Sequence, residues 1–190
     1  MKTALVWFRR DLRLHDNPAL DAAVRAADRV VPVFIWAPNE EAPWAPGGAS
    51  RWWLHHSLKT LTTSLAKLGA PLVIRSGDSL ATLRALVKET GADSVFWNRL
   101  YEPAVIARDK KIKEALPADG LTVESFNANL WFEPWESKTL NGDPYRVFTP
   151  FWKQLRSRLP SRAPLPSPPK LPSTTVAGES LDSLKLLPTI

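Results

Sequence analysis

The chain has 190 residues, 44% of them hydrophobic and 23% charged, enough for one well-buried core with an appendage but not for a second full domain. Its formal net charge of +6 is compatible with a polyanionic partner but identifies none, because summed surface charge steers association without selecting it. The absence of cysteine excludes disulfides, thiolate nucleophiles and cysteine metal sites, three histidines argue against structural zinc, and no signal peptide or membrane-length apolar run appears, so a cytoplasmic protein with no metal and no membrane contact is expected.

Short apolar runs at 3–8, 29–36, 70–76, 93–98 and 121–126 have the length and β-branched content of buried strands. Helical patterns lie between them. Asp16 or Asn17 can cap a first helix with Pro18 in its opening turn. A second pattern runs from the cap candidate Ser50 to a stop at Gly69, a third from Asp78 to Gly91, and a fourth, weaker in its caps, from Pro103 to Leu116. This alternation predicts an α/β fold: a doubly wound, five-stranded parallel sheet, Rossmann-like, with helices on both faces. Ligands of such sheets sit at the carboxyl ends of the strands, where strand order reverses.

Beyond Phe126 the pattern loosens into an NGDP turn and a short helix opened by Pro150 and running to about Leu159. Residues 160–172 then hold six prolines in thirteen positions, which reads as a polyproline-like linker. The division expected is 1–130 for the α/β body, 131–159 for an extension and 160–190 for a linker leading to a further domain.

Three separated motifs, "WFRRDLRLHDNPAL" at 7–20, "NRLYEP" at 98–103 and "GDPYRVFTPFWK" at 142–153, resemble in order and spacing the amino-terminal domain of the DNA photolyase and cryptochrome family. The wording of the first looks most like bacterial cyclobutane-dimer photolyases of class I, with cryptochrome-type photoreceptors kept open. The resemblance implies an antenna-binding domain, with flavin adenine dinucleotide (FAD) and the chemistry of DNA repair by photoreactivation belonging to a helical domain beyond the linker. Partners implied are that helical domain and, through the parent protein, damaged duplex DNA. No catalytic residue is expected within 1–190.

Against that background, each motif has two readings. Arg9, Arg10 and Arg13 follow the first strand near a helix N-terminus suited to anions. No glycine stands in that turn, so a dinucleotide phosphate loop is rejected. The arginines either pair with Asp11, Asp16 or Glu102, or one of them touches a ligand. Arg51 stands at a helix start where a guanidinium could stack on a heterocycle, or act only as a surface group. Trp52 and Trp53, about 100° apart on a helix, cannot both face one pocket, and one is expected in the core. Asn98 and Glu102 offer an amide and a carboxylate to a pterin or deazaflavin edge, or else form a strand-end network. Trp36 is a candidate wall of the same pocket. The cofactor-binding set is thus Arg9, Trp36, Arg51, Asn98 and Glu102. Folate-binding members of the family carry an Asn–Glu pair two and three residues after the position of Glu102. Ala104 and Val105 stand there, which favours a deazaflavin or flavin mononucleotide (FMN) antenna, or none, over methenyltetrahydrofolate. A freestanding nucleotide-binding module is the alternative. Phe148, Phe151 and Trp152 are expected to form an apolar patch facing the helical domain.

Overall fold

The computed structural model describes residues 1–139, 141–159 and 163–188. Five strands, β1 (Thr3–Phe8), β2 (Arg29–Trp36), β3 (Val73–Ser76), β4 (Ser94–Asn98) and β5 (Thr122–Phe126), form one parallel sheet in the order β3-β2-β1-β4-β5. The chain steps outward from β1 to β3, then returns to add β4 and β5 on the other side. Strand order therefore reverses between β1 and β4.

Alternation along the strands splits the core into two layers. Ala4, Val6 and Phe8 of β1 join the layer under helices α1 (Pro18–Ala26) and α2 (Gly48–Lys67). Leu5 and Trp7 join the layer under α3 (Ser79–Thr90) and α4 (Pro103–Ala118). Asn17 caps α1 by accepting the Leu20 N–H at 3.1 Å, with Pro18 in the first turn. Asp78 caps α3 by accepting from Ala81 at 2.8 Å, and Gly91 ends it in the left-handed conformation at φ 66°. That conformation is the reason for glycine there.

Two elements begin away from their expected positions. β3 starts at Val73 because Pro71 has no N–H to pair. Helix α2 starts at Gly48, with Gly47 rather than Ser50 at its cap. A last helix, α5 (Phe148–Leu155), places Pro150 in its first turn, where the missing donor costs nothing, and passes into a 3-10 turn at Arg156–Arg158.

Part of the expected linker, 160–162, lies outside the described residues. Between residues 163 and 188 the chain lies against the α/β body. Leu165 accepts from Asp16 N at 2.8 Å, Leu171 N donates to Leu68 O at 2.8 Å, and Pro172 O accepts from Val30 N at 2.8 Å. Leu171, Leu184 and Leu186 are buried in the α1/α2 layer. Aperiodic sequence thus forms a strap held by backbone pairing and scattered leucines. Leu171→Ala is expected to cost about 2–5 kcal/mol in urea unfolding; a loss within about 0.5 kcal/mol, as for a surface position, would mean that the strap does not dock.

Candidate functional site

Since β1 and β4 are parallel neighbours, their carboxyl ends deliver Arg9 and Asn98 to one place. Arg9 Nη1 donates to Asp109 Oδ2 of α4 at 2.6 Å, and Nη2 donates to the Asn98 carbonyl. Asp11 accepts from Arg9 N at 3.0 Å and from Asn98 Nδ2. Asn98 Nδ2 also donates to Asn17 Oδ1 at 2.7 Å, while its Oδ1 accepts from Ala19 N at 3.1 Å. Burial pulls the Arg9 guanidinium below its ordinary value, and Asp109 pushes the other way. Arg108 donates to Asp109 Oδ1 from Nε at 3.1 Å and Nη2 at 2.9 Å. The guanidinium carbons of Arg9 and Arg108 lie 5.0 and 4.8 Å from the Trp7 ring centre, and Trp7 meets Trp97 edge-on at 5.8 Å. This network fills the reversal point between β1 and β4.

Asn98 is 0% exposed, with both amide hydrogens and its oxygen committed, so it offers nothing to a ligand; the expectation of an Asn98 contact is corrected on that ground. Of the two readings of the arginines, pairing holds for Arg9 and Arg10, with Asp109 a partner that the expectation had not included. Arg10 bonds Glu102 and, at 2.7 Å, Glu41. Arg13 donates to the carbonyls of Asp16, at 2.9 Å, and Ala128, at 2.8 Å.

The open space lies beside this plug, over the tips of β1 and β2. It is a cleft of about 880 Å³ whose walls include Trp7, Arg9, Arg10, Trp36, Trp44 and Trp53. Arg51 and Glu102 do not line it. Arg51 Nε instead donates to Pro46 O at 2.9 Å, bracing the loop that does. Neither Trp52 nor Trp53 is core, contrary to expectation, because the buried stripe of α2 is His55, Leu58, Leu61 and Leu65. Trp53 stands 69% exposed in the cleft wall and Trp44 82% exposed in the preceding loop, while Trp52 packs on His56 at 4.3 Å. The volume suits a polycyclic ligand. Trp7 Nε1 and Arg9 Nε are buried donors with no partner among the described residues, on two wall residues. The exposed indole faces fit a planar heteroaromatic group.

Asp109 and Arg108 were missed by sequence reasoning, although a signal existed. Val105, Asp109, Ile112 and Leu116 form the buried face of α4, and a carboxylate in an apolar stripe implies a buried cation partner.

A second network orders the extension. Arg99 donates to Glu133 Oε1 at 2.6 Å and Tyr101 Oη donates to Glu133 Oε2 at 2.9 Å. Burial, then the Glu133 carboxylate, push the Tyr101 phenol up to about 12. The segment so anchored leaves Trp131 67% exposed, and α5 leaves Phe148 71% exposed. Phe148 stacks on Trp152 at 6.4 Å and meets Phe151 at 6.3 Å.

Residues 4–170 match the family model described as DNA photolyase. The chain belongs to the DNA photolyase family. It is similar to a bacterial class III photolyase from Agrobacterium tumefaciens, whose crystal structure is 48% identical with a TM-score of 0.92, covering all of this chain and 39% of that one. Cryptochrome-1 of Arabidopsis thaliana is 48% identical over 95% of this chain and 27% of its own length. An archaeal photolyase from Sulfolobus tokodaii, described with two FAD molecules and the implication of a novel light-harvesting cofactor, is 26% identical with a TM-score of 0.76, covering 96% of this chain and 41% of that one. The chain therefore spans well under half the length of these photolyase-family relatives and corresponds to their amino-terminal domain. The class I expectation is not supported, since the neighbours at 48% are a class III photolyase and a plant cryptochrome.

Asp109→Asn leaves Arg9 buried without its counter-charge, and a loss of about 3–5 kcal/mol is expected in urea unfolding; a loss below about 1 kcal/mol would show the pair to be dispensable. Tyr101 favours the neutral phenol in the fold, so its contribution is complete below pH 10 and lost as pH rises toward 12. Ultraviolet titration should show a tyrosine ionising near pH 12 that Tyr101→Phe removes and Glu133→Gln shifts downward.

Proposed function

We propose that this domain holds a light-harvesting chromophore in the cleft over β1 and β2, within a longer flavin-dependent protein that repairs ultraviolet-damaged DNA or, in the cryptochrome manner, signals. The observation that carries this reading is the cleft itself: about 880 Å³, at the strand tips, walled by Trp36, Trp44 and Trp53. Trp36 and Trp53 would hold the ring by stacking, with Arg10 at the rim and Trp7 and Arg9 behind it. Such a pigment, when bound, absorbs a photon and passes the excitation to the catalytic flavin by dipole coupling. The protein's task is then to fix orientation and exclude water, which needs no nucleophile, acid or base. Ala104 and Val105 favour a deazaflavin or FMN ring over methenyltetrahydrofolate, and the two FAD molecules in the Sulfolobus relative lend support to a flavin in this role.

On the same reading residues 1–130 are the α/β body, 131–159 face a helical FAD domain and 160–190 lead to it. The aromatic surface of Trp131, Trp135, Phe148 and Trp152 supports that contact, being of the kind a monomer rarely leaves bare. Damaged duplex DNA would be bound by the whole protein, the basic charge of this half adding a salt-sensitive term.

The test is titration of the chain with FMN and, separately, with methenyltetrahydrofolate, read by quenching of tryptophan emission. FMN is expected to bind, and Trp53→Ala to weaken it about tenfold through loss of one stacking face. Thermal protection by AMP with no response to either pigment would instead favour the freestanding nucleotide-binding module.

A further inference from the structure

We infer that Glu179, on the strap, is a positioning residue for the cleft, acting through the turn that joins β3 to α3. Its carboxylate accepts from Ser76 N at 2.7 Å and from Ser76 Oγ at 2.6 Å, while its own N–H donates to Ile74 O at 2.8 Å. Gly178 lies so close to β3 that a Cβ there would stand 3.2 Å from Ile74 N. The strap is thus flush with the strand edge.

The other end of the same turn is held in the same manner from the cleft side. Glu40 accepts from Ser79 N at 2.7 Å and from Ser79 Oγ. It belongs to the 3-10 turn Pro38–Glu41 that leads to Trp44. Between the two serines, Gly77 N donates to the carbonyl of Trp36 at 3.1 Å. Two carboxylates, one from the strap and one from the cleft loop, therefore clasp a turn of four residues that also supports Trp36. Each carboxylate bond is charge-assisted, and those to the buried Ser79 take up donors that would otherwise lack a partner. The strap reaches the cleft wall through the backbone of this turn and the hydrogen bonds on it: Glu179 to Ser76 at one end, Gly77 to Trp36 between, and Ser79 to Glu40 at the other.

This inference rests on the cleft being the pigment site, and its test separates the two. Amide hydrogen exchange of Gly77, Ser79, Ala37, residues 39–42 and Trp44 is measured in the wild-type chain, in Glu179→Ala and in Glu179→Gln, together with FMN affinity. Loss of a charge-assisted pair is expected to raise exchange at those amides about tenfold in Glu179→Ala, with α4 unchanged. Glu179→Gln, which keeps an acceptor for Ser76 N, should restore most of the protection. FMN affinity should fall and recover in parallel. Unchanged exchange in Glu179→Ala, or a rise spread equally over α4, overturns the inference. Altered exchange with no FMN binding by the wild-type chain upholds the clasp and rejects FMN as the pigment instead.

Discussion

The arrangement depends on one desolvated pair, Arg9 with Asp109, set between the tips of β1 and β4. Neither charge is affordable alone at that depth, and each is held by further hydrogen bonds: Arg9 by the Asn98 carbonyl, Asp109 by Arg108. Because the pair occupies the place where strand order reverses, the usual ligand crevice of a doubly wound sheet is closed. The open volume is displaced by one strand, to the tips of β1 and β2. There the chain supplies indoles rather than a phosphate loop.

That displacement has chemical consequences. An arginine at a strand end suggests an anion site, yet Arg9 and its neighbour Arg108 of α4 already face Asp109, and both lie over Trp7. Their charge is committed to structure. On the proposed reading, recognition in the cleft falls to shape and stacking, which would hold a ring at a defined angle without performing chemistry on it. A cleft proposed to orient a pigment needs a stiff wall, and the wall here is secured from several sides. Arg10 holds Glu41, Arg51 holds Pro46, and Glu40 holds Ser79.

Much of this was legible in the sequence, for reasons that differ by element. The five strands and four main helices announce themselves by local period, and Asn17, Asp78 and Gly91 punctuate them as caps should. The bracing role of the arginine cluster was one of two readings available from charge spacing. What local pattern could not supply was long-range pairing: Asp109 meets Arg9 across a separation of 100 residues. The proline-rich strap shows the same limit. Its composition reports missing donors but not that Leu171 and Leu184 find the α2 face. Trp52 and Trp53 illustrate a different failure: their separation of about 100° placed one of the two in the core, while the stripe through Leu58 and Leu65 leaves both outside it.

The most direct test of the central claim is a crystal structure of the chain soaked with FMN. The account predicts the isoalloxazine ring against Trp36 and Trp53 over β1 and β2, with the Arg9–Asp109 pair intact. A ring lodged between the tips of β1 and β4, with that pair parted to admit it, would contradict the account.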